Sequence, residues 1–250
     1  MVAELMSPRG LLQRRDAIEF GYDDKCLRRL VRGGRIVRIR QGAYAAAEVW
    51  RDLSARDRHL LLSDAVVRQY DEDIALSHGS AVLRLGGPDY GLDLATVHIT
   101  HFDGGGRRTA KVVHHQGRCG VLDITRLEDH WVTSAPRTVL DVSYLLFRTQ
   151  RVPRPQQQHE IFHPDGRLAA RTDWAWPELG VIGEFDGTVK YHRFRRPDET
   201  IEQAVLREKR REEMIVELTG WRCIRLIWAD LFVPAVTAQR IRNVLSRAAA

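Results

Sequence analysis

Residues 171–187, RTDWAWPELGVIGEFDG, decide how the carboxyl-terminal part of the chain folds. Apolar and aromatic residues run up to Trp176, a turn follows at 177–180, and a second apolar run begins at Val181 and ends at Gly187. Apolar runs bounded by proline and glycine are typical of neighbouring β-strands joined by a short turn. The sequence therefore predicts two adjacent strands in this stretch.

The segments on either side extend this sheet. Residues 158–170, QHEIFHPDGRLAA, predict a preceding strand and a hairpin turn. Residues 199–219 predict an amphipathic helix that ends at Gly220. The run 221–228, WRCIRLIW, predicts a further strand, and a last helix is expected at about 235–248. The predicted order is three strands, a helix, a strand and a helix.

Three acidic residues fall on these strands. Asp173 lies on the second strand, and Glu184 and Asp186 on the third share one face because they are two residues apart. Three carboxylates at adjacent strand ends favour Mg²⁺ or Mn²⁺. Lys190 or Lys209 is the candidate for a cation that stabilises charge in a transition state.

A structural role for the same residues stays open on sequence alone. Asp186-Gly187 is also an ordinary turn pair, and Glu184 at a strand end can be solvated or paired with an arginine such as Arg171.

The acidic residues also carry a family resemblance. Asp173 in RTDWAW, Glu184 with Asp186 in GEFDG, and the helix-to-strand run 208–228 together resemble the PD-(D/E)XK nuclease superfamily, in particular its small members related to very-short-patch-repair endonucleases. The resemblance covers about residues 155–232. It implies a restriction-endonuclease-like fold and metal-dependent hydrolysis of DNA phosphodiester bonds, with Asp173 and Glu184 as metal ligands.

One position departs from that superfamily. Asp186 stands where a lysine is common, so the role of the lysine passes to Lys190 or Lys209, or the fold is an inactive one that is kept for partner binding. Glu208 and Lys209 lie in the helix that packs beside the site in this fold class, and the resemblance makes both of them further catalytic candidates.

Positive charge is concentrated at the two ends of the chain. Residues 1–41 hold ten Lys/Arg and five Asp/Glu, 42–150 hold twelve and fourteen, and 151–250 hold seventeen and fourteen. A basic segment is typical of a nucleic-acid surface when a docking motif accompanies it.

A docking motif is present at the amino-terminal end. Leu11–Phe20 predicts a helix that stops at Gly21, Asp23 or Asp24 can cap a second helix, and Gly33-Gly34 ends that helix. A strand of alternating cationic and apolar residues then turns at 41–42. Helix, turn, cationic helix and basic hairpin together predict a winged helix-turn-helix.

The winged helix predicts double-stranded DNA as a partner, because the second helix fits a major groove and the wing reaches phosphates. The DNA-binding candidates are cationic residues of the second helix and of the wing: Lys25, Arg28, Arg29, Arg32, Arg35, Arg38 and Arg40. A solvated basic surface, or a winged helix used for protein contacts, is the alternative. The pattern up to Gly42-Ala-Tyr44 resembles the amino-terminal domain of the AbiEi-type antitoxins over about residues 5–47.

The middle of the chain predicts helices at 55–70 and 74–85, two strands, and a helix at 134–147. Its Ser77-His78 and the run 133–138 resemble pieces of the same antitoxin-related proteins. Four histidines lie within the strand-like runs: His98, His101, His114 and His115. Without a carboxylate at a fixed offset they are interpreted as sheet-face residues rather than metal ligands.

Composition completes the prediction. No apolar run approaches the roughly 20 residues of a membrane span, and the amino terminus has no secretory pattern, so a cytoplasmic bacterial protein without membrane contact is expected. Cys26, Cys119 and Cys223 are expected to be buried, reduced thiols.

The predicted fold class is mixed α/β, of the α+β multidomain kind. We expect a winged helix at 1–47, a middle domain at 48–148, a linker at 149–158 and a nuclease-like domain at 159–250. The expected function is DNA binding with metal-dependent endonuclease activity. The alternative is a non-enzymatic transcriptional regulator or antitoxin with an inactive nuclease fold, and a homodimer or a toxin partner stays open.

Overall fold

The computed structural model describes residues 3–70, 73–102, 107–109, 111–117, 119–186 and 200–249. The chain divides into two compact units, Met1–Thr138 and Val139–Ala250. Both contain helices and strands, which confirms the mixed α+β class. The predicted boundaries of the winged helix, the middle domain and the linker stay predictions. In the described part of the chain, no helix combines the length and the apolar character that a bilayer span requires.

The first unit contains two sheets and the helices that pack on them. Its helices are α1 (Arg14–Glu19), α2 (Asp24–Arg32), α3 (Ala47–Asp52), α4 (Ala55–Val67) and α5 (His78–Arg84). Its strands are β1 (Leu11–Gln13), β2 (Ile36–Arg40), β3 (Ala43–Ala46), β4 (Ile74–Leu76), β5 (Val97–His101), β6 (Arg107–Thr109), β7 (Val112–Gln116), β8 (Ile124–Leu127) and β9 (His130–Thr133). Helix α6 (Ala135–Thr149) begins at the end of this unit and continues into the second.

The first strand corrects a sequence prediction. The predicted helix from Leu11 to Phe20 is wrong at its start, because Leu11–Gln13 pairs with β3 and α1 begins only at Arg14. Leu11 packs in a cluster with Leu61 of α4, whereas Leu12 packs in another with Leu27 of α2, and both leucines are 1% exposed. Consecutive side chains that are buried on opposite sides require an extended backbone.

The amino-terminal elements form a winged helix-turn-helix. Its small sheet has the order β1-β3-β2. Along the chain, α1 and α2 come after β1 and before the hairpin of β2 and β3. The carboxylate of Asp23 caps α2 by accepting the backbone N–H of Cys26 at 2.6 Å. The helix ends at Arg32, and Gly34 then adopts a φ of +65°, a left-handed conformation that glycine adopts without strain.

The larger sheet of the first unit has the strand order β6-β7-β5-β4-β9-β8. Its strand β4 corrects the predicted helix at 74–85, because Ile74–Leu76 pairs with β5 on one side and β9 on the other, and α5 begins only at His78. A run of three apolar residues between two strands is buried on both faces. Its periodicity therefore cannot distinguish a strand from a helix.

The second unit has one sheet of four strands. Its strands are β10 (Gln156–Phe162), β11 (Leu168–Trp176), β12 (Val181–Asp186) and β13 (Arg222–Ile227). Its helices after α6 are α7 (Ile201–Thr219), α8 (Trp228–Leu231) and α9 (Pro234–Ala248). The sheet order is β10-β11-β12-β13, and only the β12–β13 pair is parallel among these described strands. The predicted succession of three strands, helix, strand and helix is confirmed.

Helix α7 covers one face of this sheet and aromatic residues cover the other. Ile215 of α7 is fully buried in a cluster with Ile182 of β12. On the opposite face the ring of Trp174 lies edge-on to Phe147 of α6. A Cβ at Gly183 would lie 2.9 Å from Cε3 of Trp174, so a larger residue here would force the buried ring of Trp174 or the strand to shift.

Candidate functional site

The second helix of the winged helix presents one cationic surface. Lys25, Arg28, Arg29 and Arg32 follow the spacing that places residues on one face of a helix, and all four are exposed. On the inner face of α2, Leu27 is 1% exposed. We call these four residues the cationic face. It is the site that the sequence predicted on this helix.

The acidic residues at the start of α2 are engaged locally. Asp23 is the cap of the helix, and both carboxylate oxygens of Asp24 accept hydrogen bonds from Arg14, each at 2.7 Å. This contact lowers the pKa of Asp24 and raises the pKa of Arg14. The two carboxylates beside Lys25 therefore already have partners within the winged helix.

The wing supplies two exposed arginines and one that is held inward. Arg35 and Arg38 are exposed, whereas Arg40 is half-buried and its Nε donates to Oε1 of Gln69 at 2.9 Å. The register of β2 on β3 shifts between Arg38 and Arg40. A shift of this kind re-aims the side chains beyond it, so the structure separates Arg40 from the exposed candidates.

In the second unit, Asp173 lies where two strands stop pairing through their backbones. The register of β11 on β12 runs from Trp176–Val181 to Trp174–Gly183. Beyond that pair, Oδ2 of Asp173 accepts the backbone N–H of Phe185 at 2.8 Å. Its half-buried carboxylate is thereby fixed between β11 and β12.

The other two predicted carboxylates lie on the same face of the sheet and pair with arginines. The side chain of Glu184 is 12% exposed, and its Oε1 lies 3.2 Å from Nη2 of Arg211 on α7. Oδ2 of Asp186 lies 3.6 Å from Nη1 of Arg225 on β13. Arg225 also pairs with Glu212. We call Asp173, Glu184 and Asp186 the carboxylate face.

The possible arginine partner from the sequence, Arg171, is used elsewhere. Its Nη2 lies 2.5 Å from Oε1 of Glu160, and these residues face each other on β11 and β10. The pairing of Glu184 with an arginine therefore occurs, but through Arg211, whose Nη2 also donates to the backbone oxygen of Arg171 at 2.5 Å.

Of the remaining catalytic candidates, the structure describes the side chain of Lys209 but not those of Glu208 and Lys190. Lys209 is exposed on α7, and its Nζ lies 4.0 Å from Oε1 of Glu213, one helical turn away. Glu208 lies on the same helix, and its side chain falls outside the described part of the structure. Lys190 lies in 187–199, outside the described residues.

A comparison with known families concerns the amino-terminal elements. Residues 2–47 match the model of a family described as transcriptional regulator, AbiEi antitoxin. This AbiEi-like segment contains β1, α1, α2, β2 and β3, and therefore the whole cationic face. A search among curated proteins gives no significant match.

Outside the AbiEi-like segment, sequence reasoning missed the arginines on the carboxylate face. Arg211 precedes the buried Ile215 by four residues, so both lie on the side of α7 that faces the sheet. Arg225 is the register partner of Glu184 on the parallel strand β13. The helical spacing was a signal in the sequence for Arg211, whereas Arg225 required the strand register.

Cys223 lies on the sheet near this face. Burial, followed by the charges of Glu212 and Glu184, raises the pKa of its thiol to about 12. The thiol is therefore protonated at neutral pH. Cys26, Cys119 and Cys223 form no disulfide within the described residues, and they are half-buried where the sequence predicted burial.

Proposed function

We propose that the chain binds double-stranded DNA through the cationic face of α2, with Arg35 and Arg38 of the wing on the phosphates. The observation that carries this proposal is a helix with one buried side and four exposed cations on the other. The match of 2–47 to a family of transcriptional regulators supports it independently.

The geometry suits phosphate contacts as well as base contacts. Helix α2 has nine residues and is therefore about 14 Å long, a length that fits into a major groove. Long cationic side chains at its flanks reach the phosphates, which hold a helix in register. The ion pair with Arg14 offsets the negative charge of Asp24 beside this surface.

The test is the affinity of the full chain for a labelled duplex at several salt concentrations. If the six exposed cations contact phosphates, the logarithm of the association constant should fall with the logarithm of the salt concentration with a slope of about −5. Duplex RNA should bind more weakly, because its major groove does not admit a helix. A slope near zero, or stronger binding to RNA, would contradict the proposal.

We further propose that the carboxylate face binds Mg²⁺ or Mn²⁺ and hydrolyses DNA phosphodiester bonds. The donor set fits such an ion, since Asp173 and Glu184 offer hard oxygen ligands from neighbouring strands, and Mg²⁺ takes one or two carboxylates and keeps several waters. When bound, the ion activates a water and neutralises charge on phosphate oxygens. In this proposal Arg211, beside Glu184, binds a phosphate of the substrate.

The corresponding test uses supercoiled, linear, mismatched and branched DNA with Mg²⁺, with Mn²⁺ and with a chelator. Metal-dependent cleavage is expected from the full chain, and Asp173→Asn and Glu184→Gln should each lower its rate at least about 100-fold. Glu178→Gln, an exposed carboxylate in the turn between the same strands, is the matched control and should cleave normally.

The pairing of Glu184 and Asp186 with arginines favours a second candidate function. In it the second unit is an inactive fold, and the chain is a non-enzymatic regulator whose second unit binds a second copy or a toxin partner. Absence of cleavage of every substrate, or equal cleavage by the two carboxylate variants and the control, would reject the nuclease proposal and leave this function.

A further inference from the structure

Three histidines from separate elements meet in the first unit. His78 is the first residue of α5, His98 lies on β5 and His115 lies on β7. Each histidine offers one ring nitrogen, and these three nitrogens all lie within 4.8 Å of one another. Nδ1 of His98 lies 2.8 Å from Nε2 of His115. We call these residues the histidine cluster.

The strand register and a special backbone conformation bring the cluster together. Strands β5 and β7 are parallel, and His115 lies opposite Thr100, two residues beyond His98, so both histidines share one face. His78 has a φ of +49°, in the left-handed region that residues other than glycine seldom occupy. Such conformations are concentrated at functional sites.

The rings are held close and in one orientation. The ring planes of His78 and His115 are stacked with centroids 3.5 Å apart, and those of His98 and His115 with centroids 5.1 Å apart. Nδ1 of His78 also lies 3.1 Å from the hydroxyl oxygen of Ser77, a contact that helps to orient the ring. A hydrogen bond of this kind to a polar neighbour also orients histidines that bind metals.

The surroundings of His78 disfavour its charged form. Burial, then the neighbouring His115 and His98, lower the pKa of His78 well below its ordinary value.

A second histidine pair, on the opposite face of the same strands, has no third ligand within the described residues. Nε2 of His101 lies 2.8 Å from Nδ1 of His114, whose Nε2 faces the hydroxyls of Tyr70 at 3.4 Å and Thr109 at 3.3 Å. The ring of His114 lies against hydroxyl groups, and no third His, Cys, Asp or Glu joins this pair in a metal-sized group within the described ranges.

We propose that His78, His98 and His115 form a binding site for a transition-metal ion of the Zn²⁺ type. Imidazole is a preferred ligand of Zn²⁺, and three histidines leave the fourth position to water or to an anion. Zinc lies about 2.0–2.1 Å from each nitrogen, which places tetrahedral ligand atoms about 3.3 Å apart. On binding, the contact between His98 and His115 would therefore widen by roughly half an ångström. The ring of His78 would also turn out of its stack on His115, because an imidazole binds a metal ion in the plane of its own ring.

The first test uses the unaltered, untagged chain, so that no variant has to fold. After treatment with chelator and dialysis, the chain is titrated with Zn²⁺ by calorimetry, and its imidazole nitrogens are followed by long-range ¹H–¹⁵N spectroscopy. One equivalent should bind, and the nitrogen shifts of coordination should be confined to His78, His98 and His115. Absence of binding, or shifts in other imidazoles only, would overturn the proposal.

Variants provide the second test. His78→Asn, which tolerates the left-handed backbone, and His115→Gln should each weaken Zn²⁺ binding at least about 100-fold. The double variant His101→Gln/His114→Gln, on the opposite face of the same strands, is the matched control and should bind normally. Equal affinity of all variants would reject the site even if the wild-type chain binds zinc.

Discussion

Replacing Arg28 and Arg29 together with alanine is expected to lower the affinity for duplex DNA by roughly 10- to 100-fold at 0.1 M salt. Each phosphate contact contributes a counter-ion factor of about eight at this salt concentration, and two contacts are lost. The salt slope should become less steep by about two. Both residues are exposed on a helix, and alanine has a high helix propensity, so the fold should persist.

The control for this prediction removes the same charge elsewhere. Arg148→Ala/Arg247→Ala changes two exposed arginines on helices of the second unit. Its affinity and salt slope should equal those of the wild-type chain. If both double variants lose affinity equally, the binding is a non-specific effect of net charge and does not depend on α2.

Replacing Arg84 with methionine is expected to lower the free energy of unfolding by about 3 kcal/mol or more. Arg84 pairs with Asp64, and their side chains are only 4% and 11% exposed. The variant would leave the buried carboxylate with His130 at 3.2 Å and Arg9 at 3.3 Å, without its most deeply buried partner. Unfolding by urea, followed by tryptophan fluorescence, measures the change.

The pH dependence follows from the same contacts. Burial opposes ionisation of Asp64, but the hydrogen bond from His130 and the charge of Arg84 outweigh it and lower the pKa of this carboxyl. A carboxyl with a lowered folded-state pKa stabilises the fold fully above about pH 4, and this contribution is lost as the pH falls through the lowered value. Arg84→Met should therefore have its largest effect near neutral pH.

Arg51→Met is the control for the stability prediction. Arg51 is exposed on α3 and donates only to the carbonyl of Ala47 in its own helix among the hydrogen bonds of the described residues. Its replacement should change the free energy of unfolding by no more than about 0.5 kcal/mol. An equal loss in both variants would show that burial of the Asp64 pair does not decide the cost.

The sequence predicted those features that neighbouring residues in the chain determine. The helix cap, the glycines after Arg32 and the spacing of the cationic face are all encoded within a dozen residues. The structure contains all three, and of the two predicted cap candidates it uses Asp23. The face shared by Glu184 and Asp186 follows in the same way from the two-residue period of a strand.

Features with a distant cause were not predictable in this way. Strands β1 and β4 have only three residues each, too few for a period to show, and their partners lie tens of residues away. The inward position of Arg40 depends on a register shift, and the pairing of Asp186 with Arg225 depends on the parallel strand β13.

The histidine cluster combines both difficulties. His98 and His115 lie in runs that sequence analysis recognised as strands, but only the parallel register places them side by side. His78 is the first residue of α5, but the predicted helix at 74–85 placed it inside a helix. The third member of the group was therefore not visible as a partner from the sequence.

The central claim, that α2 and its wing are the surface that binds duplex DNA, is tested most directly by amide hydrogen exchange of the full chain with and without a saturating duplex. We predict that protection on binding will be concentrated in peptides covering residues 24–40. Protection confined to peptides from 139–250, with unchanged exchange at 24–40, would contradict it.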